Sequence, residues 1–266
     1  MSLSTHVIKT ANGILSGENQ DNNVTLNNTL RLLAKWRSMI IQNTLIANHG
    51  TVIHAGPFVG MQFLNKSAEG CHVAKLLGCY EQPLHEYFTP ASIGRYERVI
   101  NIGCAEGYYA VGIARLSETV IVDAYDTDEM ARESCANLAR NNNVSNRVNV
   151  YGEFSAKRID DHTGQRCLVL CDVEGAEKDL LNIDAFPDMR KLDFIIESHE
   201  CFVPGITEEL ISRFSATHRI TPIQDIGSRQ VVNPPKWFSN LSHLDQLLAT
   251  WEWRSGPTPW LVLETL

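Results

Sequence analysis

The chain has 266 residues, 44% of them hydrophobic and 20% charged, with a formal net charge of −8. This fits a soluble chain of one large domain, or of one domain with an appendage. The acidic balance argues against nonspecific contact with nucleic acid or an anionic membrane, and no apolar run approaches the roughly 20 residues that cross a bilayer. The first residues lack the charged-then-apolar layout of a secretory leader. Seven cysteines, scattered without a C-x-x-C pair, fit reduced thiols, which points to the cytoplasm.

Residues 1–22 are polar and rich in Asn, Gly and Ser, and read as a flexible arm. From Val24 the pattern turns helical: Leu26, Leu30, Leu33, Trp36 and Ile40 recur as one apolar stripe, stopped at Gly50 as a C-terminal cap. Such a stripe must be covered by the core or by another subunit, so a homo-oligomer through this helix is an expectation. Residues 51–63, cut by Gly56, Pro57 and Gly60, read as a short strand or turn region that packs on the core or lines a pocket. Lys75 to Glu81 ends another short helix. The chain thus divides into an arm (1–22), an N-terminal helical extension or cap (23–95) and a domain at 96–266.

In that domain strands and helices alternate, which predicts an α/β fold with a mostly parallel sheet. Strands are expected at Val99–Ile102, Thr119–Tyr125, Arg147–Tyr151, Arg166–Cys171, Leu192–Ile196, His218–Ile223 and Trp260–Leu263. Helices are expected at 128–141 and 208–216, and another near 241–248. Cys167 and Cys171 are four apart in a strand and read as core thiols, not zinc ligands.

Glycines 103 and 107 follow the first strand, and Tyr108 onward can be a helix packed back on it, the opening of a nucleotide-binding unit. A dinucleotide turn wants G-x-G-x-x-G. Here Ala105 and Tyr108 take the second and third glycine positions, and Glu106 would repel a pyrophosphate and suit a cationic ligand. Ligands of such sheets bind beyond the carboxyl ends of the strands. Asp126, 23 positions after Gly103, suits the ribose hydroxyls of a nucleoside, and Glu153 could accept from an adenine amino group. Asp172 and Glu174 are two apart at the end of the fourth strand and can point into one cleft. His199 follows the fifth strand and is a natural base.

The spacing Gly103-x-x-x-Gly107 after a strand resembles the cofactor loop of class I S-adenosylmethionine-dependent methyltransferases. The run Asp172-Val173-Glu174-Gly175-Ala176-Glu177, with Glu197-Ser198-His199-Glu200, resembles the FkbM-type branch of that group. The likeness covers residues 96–200. Asn101 replaces the acid often found two residues before the first glycine. The resemblance implies a Rossmann-like seven-stranded sheet with helices on both faces and S-adenosyl-L-methionine held by Gly103, Ala105, Glu106, Gly107, Asp126, Glu153 and Asp172. It also implies O-methylation of a small-molecule, sugar or glycan hydroxyl, with Asp172, Glu174 and His199 as the catalytic group. Asp172, Glu174 and Glu197 could hold Mg²⁺ through hard oxygens, although activation without a metal is the preferred reading. Two alternatives are a nucleotide-dependent oxidoreductase, against which Ala105 and Glu106 speak, and a binding protein that keeps the fold without turnover.

Overall fold

Between residues 98 and 197, five short apolar runs alternate with helical segments, a pattern that buries each strand on both faces. In the computed structural model, which describes residues 2–17, 21–65, 70–162 and 164–266, these runs are β1 (Arg98–Ile102), β2 (Ile121–Tyr125), β3 (Val148–Tyr151), β4 (Cys167–Cys171) and β5 (Asp193–Glu197). With β6 (His218–Ile223) and β7 (Trp260–Thr265) they form one sheet of order β3-β2-β1-β4-β5-β7-β6. β7 runs antiparallel to β5 and β6, and the other pairs are parallel. The expected Rossmann-like, seven-stranded, mostly parallel sheet is the fold.

Helices α1 (Leu3–Leu15), α2 (Asn22–His49), α3 (His72–Leu77) and α4 (Pro90–Ile93) precede the sheet. α5 (Tyr108–Leu116), α6 (Glu129–Asn141), α7 (Glu177–Leu180) and α8 (Ile206–Phe214) follow its strands, and α9 (Lys236–Ser239) and α10 (His243–Thr250) lie before β7. Alternation of side chains along each strand feeds two cores. Val99, Val122, Leu168, Leu170 and Ile195 face one, and Ile100, Ile102, Val169, Phe194 and Ile196 face the other. Cys167 and Cys171 are buried in the second core, as expected of core thiols.

The expectation of a loose N-terminal arm is corrected. Leu3–Leu15 is helical, started by Ser2, whose Oγ accepts from the Thr5 N–H at 3.2 Å, and it buries Val7 and Ala11 one turn apart. One small apolar edge against α2 is enough to seat a polar helix there. The rest of the arm includes residues 18–20, which lie outside the described residues. In α2 the expected cap at Gly50 is present, with φ of 68°, but Leu26, Leu30 and Leu33 are exposed. Thr29, Ser38, Ile41 and Leu45 face inward instead. The helix is held by polar anchors that periodicity cannot show: Arg37 makes two 2.7 Å bonds to Asp245, and Arg31 donates to the Trp253 carbonyl at 2.7 Å. Residues 51–93 pack on the core, where Ile53, Phe58, Met61, Leu76 and Leu84 cluster with Val99 and Val111. Among the described residues no helix is long and apolar enough to cross a membrane.

The register sets the site. Ile102 pairs with both Tyr125 and Cys171, Tyr125 with Tyr151, and Cys171 with Ile196. The carboxyl ends of β1 to β5 are therefore level, and the residues that follow them stand along one edge.

Candidate active site

Two cavities open on that edge. The larger, about 480 Å³, lies over β1, β2, β3 and β4. Its floor is the turn after β1. Gly103 has φ of 77°, and a Cβ there would overlap the carbonyl oxygen of Asp172. Glycine is required because two strand ends approach this closely. Gly107 has φ of 92°, and a Cβ there would stand 2.7 Å from Sγ of Cys135 on α6, so this glycine serves helix packing and does not line the cavity.

Four amides of the turn are used internally. Gly103 and Cys104 donate to the Tyr125 carbonyl at 2.9 Å, Gly107 donates to Cys104 at 2.8 Å, and Ala105 donates to Oδ2 of Asp126 at 2.8 Å. The free N–H groups that would cradle a phosphate are absent from these positions. Ala105 itself sits in the left-handed region, with φ of 45°. Asp126 also accepts from the Asp128 N–H at 2.9 Å, which leaves half of its lone-pair positions for hydroxyl donors.

The walls of this cavity carry Asp126, Glu153, Asp172, Glu174 and Asp179, with Phe154, Val173 and Leu180 as apolar surface, and no Lys, Arg or His. Glu106, expected beside the cofactor, is elsewhere. It is buried and paired with the equally buried Lys75 of α3 at 2.8 Å. Its charge is neutralised inside the protein, so it neither repels an anion nor recruits a cation at the cavity. Asn101 is buried in β1 with Oδ1 lacking a hydrogen bond.

The smaller cavity, about 160 Å³, adjoins the first, and Asp172 and Glu174 line both. Its other walls include Tyr80, Glu197, His199, Phe202, Trp253 and Arg254. His199 is buried, and its Nδ1 is 2.5 Å from Oε1 of Glu177, itself fully buried at the start of α7. The opposite ring nitrogen, Nε2, points at Asp172 Oδ1 (3.5 Å), Glu174 Oε2 (3.8 Å) and Glu197 Oε2 (3.8 Å). Burial disfavours the imidazolium, but the hydrogen bond to Glu177 and the charges of Glu197, Glu177 and Glu174 outweigh it, and the ring is held above its ordinary pKa. A proton stays on His199 to higher pH than on a free imidazole, so the ring is less available for the expected duty of base near neutrality.

Sequence reasoning missed the support behind this cavity. Arg254, before β7, contacts Glu197, lies 2.7 Å from Glu81 and from Asp225, and 3.3 Å from Glu252. Arg229 binds Glu252 through two 2.6 Å bonds and Asp225 at 2.8 Å. Burial pushes the Glu81 carboxyl up to about 8, against the pull of Arg254, with Glu197 and Glu252 adding to the rise. Glu200 turns away and accepts from the Gly205 and Thr207 amides at the start of α8. Tyr108 and Tyr109 pack with Phe58, Tyr80 and Phe88 in the interior. Trp253 lines the smaller cavity.

No protein-family model and no curated protein matches the sequence. Among solved structures, the chain is similar to an O-methyltransferase of tomaymycin synthesis from Streptomyces achromogenes, solved with S-adenosylmethionine (13% identity, 64% of this chain and 74% of that one, TM-score 0.43). It is also similar to an O-methyltransferase from Bacillus cereus in complex with SAH (13%, 99% and 91%, 0.42) and to an rRNA methylase from Streptococcus thermophilus (15%, 69% and 96%, 0.43). At these identities and scores the likeness carries no function to this chain.

Proposed function

We propose that the protein is an S-adenosylmethionine-dependent methyltransferase acting on a hydroxyl of a small-molecule, sugar or glycan acceptor. The observation that carries this reading is the larger cavity: carboxylates, apolar walls, no basic side chain among the described lining residues, and a turn whose Gly103, Cys104, Ala105 and Gly107 amides are already bonded. A nucleoside that bears positive charge and no phosphate suits such walls, whereas a pyrophosphate does not. Asp126 fits the ribose hydroxyls, and Glu153, exposed on the wall after β3, fits the base. Phe154 and Leu180 supply apolar contact. Bound there, S-adenosylmethionine supplies an electrophilic methyl group on a sulfonium.

The rest falls to residues at the boundary of the two cavities. Asp172 and Glu174 face both, so an acceptor hydroxyl in the smaller cavity lies beside the larger one. An acceptor hydroxyl held at this boundary would be aligned with the methyl group that the cofactor would supply, and its proton would pass to a carboxylate and then to solvent. Asp172 and Glu174 are the carboxylates placed to orient the hydroxyl and take that proton, with His199 fixing their charge. Calorimetric titration with S-adenosylmethionine and its demethylated product, followed by a screen of hydroxyl-bearing glycans with labelled cofactor, tests the reading. Absence of saturable binding of either compound overturns it.

A further inference from the structure

The boundary between the cavities holds a set of donors that asks for a cation. One ligand atom each from Asp172, Glu174 and His199 lie within 4.8 Å of one another. A divalent ion with bonds of about 2.1 Å spaces its ligands from about 3 Å (adjacent) to about 4.2 Å (opposite). Nε2 of His199 stands 3.5 Å from Asp172 and 3.8 Å from Glu174, inside that range.

The histidine supplies the second observation. Its ring is 3% exposed, and its direction is fixed by the 2.5 Å bond from Nδ1 to Glu177 and by Phe202, stacked at 5.8 Å and 11°. This leaves Nε2 aimed between Asp172, Glu174 and Glu197 without a hydrogen bond of its own. A carboxylate behind one ring nitrogen, with the other presented to a gap between acids, is how proteins orient a metal-binding imidazole. Charge points the same way. Arg254 and Arg229 are shared among Glu81, Glu197, Asp225 and Glu252, and among the described residues Glu174 and Glu177 have no ion pair except with His199.

We propose that Asp172, Glu174 and His199 bind one divalent transition-metal ion at the seam of the two cavities, with Glu177 orienting the histidine. One imidazole nitrogen with two carboxylates suits Mn²⁺ and its neighbours better than Mg²⁺ or Ca²⁺, which favour all-oxygen shells. Three protein ligands leave positions open for an acceptor oxygen, so the ion would lower the pKa of the bound hydroxyl and hold it beside the larger cavity. This use of the ion rests on the methyltransferase reading; the binding site does not.

The test uses the full chain, stripped with a chelator and titrated with Mn²⁺ by calorimetry and by loss of the free-ion paramagnetic resonance signal. One saturable site is expected, with Mg²⁺ at least about tenfold weaker. Glu174→Gln, at an exposed side chain that does not threaten the fold, and His199→Ala should each weaken Mn²⁺ at least about tenfold, and Glu177→Gln by about 10-fold to 100-fold. Asp126→Ala should leave Mn²⁺ binding unchanged. Absence of a saturable site in folded protein, or affinity untouched by both Glu174→Gln and His199→Ala, overturns the proposal. Mn²⁺ binding without S-adenosylmethionine binding keeps the metal site and sinks the methyltransferase reading; the reverse pattern sinks the metal site alone.

Discussion

The two cavities share Asp172 and Glu174 but are built by opposite means. The larger is made locally: a turn after β1, an acid after β2 and a loop after β3, each within a few residues of a strand end. The smaller is assembled across the chain, since Arg254 reaches Glu81, 173 positions away, and Glu197, 57 positions away. The first rests on backbone geometry and the second on compensated buried charge. They should therefore fail differently when broken.

The largest effect is expected where both meet. Gly103→Val places a branched side chain against the Asp172 carbonyl at a φ that valine avoids. The strand ends must separate, which should cost more than about 4 kcal/mol and remove folded protein. The neighbour the new side chain meets is the chain itself. Gly152→Ala, with open space around its Cβ position, is the control. Urea unfolding of the two variants checks the contrast, and a stable, ligand-binding Gly103→Val protein would refute it.

Next in size is Arg254→Met. It strips a cation from Glu81, Glu197, Asp225 and Glu252 at once, and an uncompensated buried cluster of this kind costs about 3–5 kcal/mol. If the cavities are built independently, cofactor affinity at a temperature where the variant remains folded should change by less than about threefold. A large loss of affinity would show that the charge network also shapes the first cavity.

The α3 segment joins the two, since Lys75 holds Glu106 of the β1 turn and Cys71, its N-cap, lines the smaller cavity. Beside Lys75, His72 is buried. Burial first, and then Lys75, push its pKa down to about 4. The folded ring is neutral while the unfolded ring titrates near 6.5, so stability is full above about 6.5 and falls as pH drops toward about 4. The loss is about 3 kcal/mol at most. His72→Leu should flatten that limb of the stability profile. An unchanged acid limb would place the first acid opening elsewhere.

The same contrast explains what was legible in the sequence. Strand ends, the Gly103 turn, Asp126 and Asp172 follow from local pattern, because a parallel α/β sheet dictates where the residue after each strand must stand. Glu106 was misplaced because its direction is decided by Lys75, 31 positions earlier, and nothing in the turn announces that partner. Glu177 reads as a helix starter, and its burial against His199 depends on how two loops fold together. Asp225, Arg229, Glu252 and Arg254 flank proline-rich chain without periodicity. They form two pairs, Asp225 with Arg229 and Glu252 with Arg254, on either side of α9 and α10, and no local pattern announces that the pairs meet. The stripe on α2 is legible in the sequence, but which side of the helix meets the core is set by polar anchors at Arg31 and Arg37, and Leu26, Leu30 and Leu33 stand exposed.

The smallest effect belongs to the larger cavity alone. Asp126→Ala should weaken S-adenosylmethionine by about 1.5–3 kcal/mol, the cost of losing a charge-assisted acceptor, or about tenfold to 150-fold in affinity. The variant also frees the Ala105 and Asp128 amides, which the carboxylate holds at 2.8 and 2.9 Å, so part of the loss could come from a loosened turn. Asp126→Asn separates the two causes. Its amide oxygen can still accept from one backbone N–H, but the negative charge toward the ribose hydroxyls is gone. If the carboxylate acts on the ligand, Asn should retain most of the stability and little of the affinity. If it acts only on the turn, stability and affinity should fall together in Ala and recover together in Asn. Calorimetric titration beside thermal unfolding of the three proteins decides between them, and unchanged affinity in Asp126→Ala would remove the ribose from this position.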